Sequence, residues 1–123
     1  MRLVVEFRHL SLLVADLNRA RRFYEGVLGL EINPARPVMS FDGVWYDVGA
    51  MQIHLMRLPD PETGLLRPEH GGRDRHVAFT VCDIDELQSR LTQADIFFTL
   101  SQSGRRALFC RDPDGNALEF VCG

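Results

Sequence analysis

The chain has 123 residues, which suits one domain or two small halves sharing a core. Its 46% hydrophobic content is that of an ordinary globular protein, and no apolar run nears the roughly 20 residues a membrane helix needs. The formal charge is −3 and all 14 basic residues are Arg, which excludes a broad basic field for nucleic acid and, with no Lys present, excludes Schiff-base and P-loop chemistry.

The opening "MRLVVEFRHL" meets Glu6 and Arg8 too early to read as a signal peptide, so a cytoplasmic protein with no membrane partner is expected. Residues 7–14 alternate: Phe7, His9, Ser11 and Leu13 share one face of a strand, and Leu10, Leu12 and Val14 the other. Asp16 is placed to cap a helix whose buried stripe is Leu17, Ala20, Phe23, Tyr24 and Val27, and Gly29 is its stop. A short strand is expected within 33–43. Residues 44–58 read as a hairpin turning at Gly49-Ala50. The Pro-, Gly- and charge-rich stretch 59–73 reads as a linker, with His70 solvated.

A second strand begins near His76. Asp83 and Glu86 have capping-box spacing, and Ile84, Leu87 and Leu91 form the stripe of the helix that follows. Residues 100–105 are a loop, and 106–122 a hairpin turning at Asp112-Pro113-Asp114-Gly115. Cys82, Cys110 and Cys122 are odd in number and lack CxxC spacing, so they read as reduced, partly buried thiols rather than a disulfide framework or zinc knuckle.

The chain also repeats itself. Residues 7–32 align with 74–99 at an offset of 67: Arg8 meets Arg75, His9 meets His76, Val14 meets Val81 and Asp16 meets Asp83. Residues 52–56 meet 117–121 at an offset of 65, which sets His54 against Glu119. Module one is taken as about 5–58 and module two as about 74–123. Each of the four special residues lies on the more polar face of its strand, with a more uniformly apolar face opposite that can receive a helix. Three imidazoles and a carboxylate at matched places in two copies of one module suggest convergence on a metal, and these are ligand types for Zn, Ni, Fe(II), Mn or Co.

The motifs "HLSLLVADLNRARRFYEGVLGLE", "RHVAFTVCDIDEL" and "FCRDPDGNALEFV" together resemble the vicinal oxygen chelate superfamily, which holds glyoxalase I, bleomycin and fosfomycin resistance proteins and extradiol dioxygenases. The likeness covers nearly the whole chain. It implies a single α+β domain of two βαβββ modules curling around a shared metal pocket, commonly in a homodimer. It implies a divalent metal (Zn, Ni, Mn, Fe or Co) held by His9, His76 and Glu119. His54 falls where glyoxalase I often has a second Glu, so it is expected as a ligand or as a proton-moving base beside Glu119. The implied function is a glyoxalase-like lyase or isomerase whose small substrate chelates the metal through adjacent oxygens. A bleomycin-resistance-type sequestering dimer is the alternative, and a fosfomycin-type transferase or a dioxygenase a further one. Ser11, Gln52 and Thr80 are candidate substrate hydrogen-bonders, and Arg105 and Arg111 candidate receivers of an anionic end.

Overall fold

The structure, a computed structural model, describes residues 1–123 and divides into two compact units, 1–61 and 62–123. In the first unit β1 (His9–Val14) leads into α1 (Leu17–Arg21), then β2 (Glu31–Ile32), β3 (Gly43–Val48) and β4 (Met51–Arg57). The sheet order is β1-β4-β3-β2, with β1 parallel to β4 and the other pairs antiparallel. The second unit repeats this plan: β5 (His76–Val81), α2 (Ile84–Gln93), β6 (Phe98–Leu100), β7 (Ala107–Arg111) and β8 (Ala117–Cys122), in the order β5-β8-β7-β6. The fold is α+β, two βαβββ modules each with its own sheet.

Both helices start where their Asp residues place them. Asp16 is extended and its carboxylate accepts from the Arg19 N–H at 3.0 Å; Asp83 does the same for Glu86 N–H at 3.0 Å. After Arg21 the first helix widens over Arg22–Val27, with the Leu28 N–H reaching back to the Phe23 carbonyl. Adjacent Phe23 and Tyr24 are both buried there, and Gly29 ends the segment at φ 74. Tyr24 stacks toward Tyr46, whose hydroxyl donates to Glu25 while Arg21 donates to the same carboxylate. Burial, then the neighbouring Glu25, pushes the Tyr46 phenol up. In the second unit Ile84, Leu87 and Leu91 pack with Leu108, Leu118 and Phe120 as its core.

Three expectations need correction. The strand sought within 33–43 lies earlier, at Glu31–Ile32. Asn33 turns the chain instead, its side chain bonding Asp47 and the Ala35 N–H, and Pro34 and Pro37 bring no N–H for a ladder. His70 is not idle in solvent: it caps the 3₁₀ turn Gly71–Arg73, accepting from the Gly72 N–H at Nδ1 and bonding the Leu100 carbonyl through Nε2. The stretch 59–73 falls mostly within the second unit, where Glu62 pairs with both Arg67 and Arg75. Of the thiols only Cys110 is buried, and burial raises it to about 12; Cys82 and Cys122, at strand ends, are exposed. No helix is long and apolar enough to cross a membrane.

Candidate functional site

The two modules set their special residues in the same register. In the first, His9 stands opposite Gln52 and Ser11 opposite His54, so His9 and His54 are diagonal neighbours on one face. In the second, His76 stands opposite Ala117 and Ala78 opposite Glu119, so His76 and Glu119 are diagonal neighbours too. The alternation of each strand therefore brings two of the four predicted ligands together within each unit.

The first pair is a stack of rings. His54 lies flat between His9 and Trp45, with centroids 4.0 Å away on both sides and interplanar angles of 14° and 3°. Trp45 is directly opposite His54 across the β3–β4 ladder. The Nε2–H of His54 donates to the Gln52 side-chain oxygen at 2.8 Å, which puts the lone pair on Nδ1. Burial, followed by the charges of His9 and Arg36, lowers the His54 pKa. His54 is thus neutral near pH 7 and keeps a free lone pair. Gln52, a candidate substrate contact, is used here to orient His54, while Ser11 beside it is exposed.

The second pair is polar and charged. Glu119 is only 4% exposed. One of its oxygens lies 3.2 Å from His76 Nε2, and the other accepts from Arg105 at 2.8 Å. His76 Nδ1 lies 2.8 Å from the Asp74 carbonyl. The imidazole therefore faces an acceptor at each nitrogen, and a neutral ring carries one N–H. A second proton or a cation must fill the gap at Nε2. The donor set fits a metal: an N–H···O=C bond at Nδ1 is the usual orienting contact of a metal-bound His. No group of three or more His, Cys, Asp or Glu side chains is gathered within either unit.

The predicted Arg residues divide. Arg105, on the 101–106 loop, reaches Glu119 and is 59% exposed. Arg111 is already committed: it donates to Asp74, to the Gly115 carbonyl and to the Pro68 carbonyl. That guanidinium holds the Asp74 carboxyl below the usual carboxylate range. Thr80 is exposed on the His76 face. Phe109 was missed in sequence. Its ring meets His76 edge-on at 5.3 Å and His70 at 5.0 Å. Its place opposite Glu119 in the β7–β8 hairpin was the available signal.

A sequence profile of the glyoxalase/bleomycin resistance protein/dioxygenase superfamily matches residues 6–120. The chain belongs to this superfamily. It is 27% identical over 123 residues to Glyoxylase I 4 of Arabidopsis thaliana, covering 95% of this chain and 70% of that protein. It is 25% identical over 126 residues to the metallothiol transferase FosB of Lysinibacillus sphaericus, covering 98% and 84%. Among solved structures, a glyoxalase-family protein from Bacillus anthracis superposes with a TM-score of 0.77 at 25% identity, covering 100% of this chain and 99% of that one. Superfamily membership supports an enzyme of the vicinal-oxygen-chelate fold acting on a small ligand.

Proposed function

We propose that this superfamily member is a divalent-metal-dependent lyase or isomerase acting on a small substrate with two adjacent oxygens. The observation that carries the reading is His76, flanked by the Asp74 carbonyl and Glu119 so that a second proton or a cation belongs at its Nε2. His76 and Glu119 would hold the metal, with His9, the counterpart of His76 in the repeat, as a further imidazole. A metal such as Zn, Ni, Mn, Fe(II) or Co would supply Lewis-acid stabilisation of charge developing on a substrate oxygen.

The chain's own residues do the rest. Asp74 fixes the His76 ring through its carbonyl. Glu119, with His54 as the second candidate, takes or returns a proton; His54 is held neutral with its Nδ1 lone pair free. Arg105 sits on Glu119 from an exposed loop and is free to swing toward an anionic substrate group. Homodimeric assembly in the cytoplasm belongs to the same reading, and a monomer at all working concentrations in sedimentation would remove the dimer.

The test is metal content and calorimetric titration with Zn, Ni, Mn and Fe(II) on untagged protein. We expect about one ion per chain. His76→Ala and Glu119→Gln should each abolish stoichiometric uptake while circular dichroism stays unchanged. Full metal content in both variants would refute the ligand assignment. Absence of uptake by the wild type would favour a ligand-sequestering protein instead.

A further inference from the structure

Arg111 ends β7 with its side chain only 26% exposed. Its guanidinium donates to the Asp74 carboxylate at 2.9 Å, to the Gly115 carbonyl at 2.7 Å and to the Pro68 carbonyl at 2.6 Å. Asp74 comes shortly before His76 in the chain, and Gly115 shortly before Glu119. One side chain therefore ties together the starts of the two strands that carry the donor pair. We infer that Arg111 is a positioning residue: by gripping Asp74 it fixes the carbonyl that holds the His76 proton on Nδ1, leaving the Nε2 lone pair for a cation. The use of that lone pair rests on the metal reading; the hold on the ring does not.

Strand register explains the reach. Arg111 pairs with Ala117 across β7 and β8, and Ala117 pairs with His76 across β8 and β5. The three residues form one row on one face of the sheet. Ala117, in the middle, carries only a methyl, so the guanidinium can cross the row. The backbone at Asp74 is extended, which sets its carboxylate on the His76 side of the chain to meet it.

Asp74 is held at each of its other polar atoms. Its N–H donates to the Gly71 carbonyl at 3.1 Å. Oδ1 accepts from the Arg75 N–H at 2.8 Å and from Arg67 at 3.2 Å, while Oδ2 accepts from Arg111. Arg67 is the looser hold, being longer and shared with Glu62. The remaining group, the carbonyl, lies 2.8 Å from His76 Nδ1, against 3.2 Å from Nε2 to Glu119. Glu119 competes less well for the ring proton because its other oxygen already accepts from Arg105. A proton held at Nδ1 by a carbonyl is the arrangement that aims an imidazole's Nε2 at a metal.

The experiment reads the His76 ring by ¹⁵N NMR in metal-free protein at about pH 9, where an unperturbed imidazole is neutral. His76→Gln assigns its signals. The wild type should carry the proton on Nδ1. Arg111→Gln and Asp74→Ala should each move it largely to Nε2. The double variant should move it no further, because both changes break one link. Arg111→Lys, which keeps a cation beside Asp74, should restore most of the wild-type signature. A merely structural role would lower unfolding stability without moving the proton in the folded protein. A wild-type proton on Nε2 alone, or one that stays on Nδ1 in both single variants, would overturn the positioning role. In zinc titrations both single variants should bind about tenfold or more weaker than the wild type. Wild-type affinity in both would overturn the role toward the cation. A ring proton that moves as expected in protein that takes up no metal would leave Arg111 in its role and sink the metal reading alone.

Discussion

The two modules place their polar pairs at the same diagonal register yet hold them by different forces. In the first, His54 is clamped by ring faces and one amide bond, and the Asp47 carboxylate reaches it only through Gln52. In the second, Glu119 is buried and bonded to an imidazole and a guanidinium. A duplicated backbone thus fixes where two side chains meet, while side-chain identity alone decides whether the meeting is neutral or charged. The support differs as well: Phe109 behind His76 is buried, whereas Trp45 beside His54 is only partly covered.

The largest break in this comparison should come from Phe109→Ala. Emptying a buried aromatic position costs about 3–5 kcal/mol, and Phe109 also packs against His70 and His76. Urea unfolding would read the loss, and a cost under half of that would mean the second pair does not lean on this ring. Trp45→Ala, at a partly exposed position, should cost clearly less.

Arg111→Ala comes next. It leaves two carbonyls without their guanidinium and Asp74 with Arg67 alone, a loss of about 2 kcal/mol. The pH signature is specific. Because the folded Asp74 carboxyl titrates below its ordinary 3.8, it stabilises the fold above that value and loses the contribution as pH falls below it. Acid unfolding of Arg111→Ala should therefore show a flatter slope in this window than the wild type.

The smallest effect sharpens the first module. The His54 pKa is lowered, so the unfolded chain binds its proton more readily than the folded one. Its penalty is absent well above 6.5 and grows as pH falls below that value toward the folded pKa. His54→Phe keeps a flat ring between Trp45 and His9 and should remove this acid-side loss while leaving stability at pH 8 nearly unchanged. An unaltered pH profile would show that the stacked imidazole is not what titrates.

Much of this arrangement was legible in the sequence, for physical reasons that differ by element. Asp16 and Asp83 announce their helices because a cap is a local bond spanning three residues. The diagonal pairs follow from period-two alternation once the repeat is seen. His70 was not legible, because its Leu100 partner is thirty residues away and reached only by folding. The same holds for Arg111, whose partners lie in Pro68, Asp74 and Gly115, so that its isolated charge suggested an anion site. The widened segment after Arg21 escaped notice because apolar spacing of three and four does not distinguish a regular turn from a broader one.

Trp45 is the only tryptophan in the chain, and it lies flat on His54. One indole therefore carries all of the protein's tryptophan emission, from a point within one ring of His9. A proton or an ion arriving at that stack perturbs the signal, while the second unit contains no tryptophan of its own. The first half of the repeat carries its own lamp, and the second half is dark.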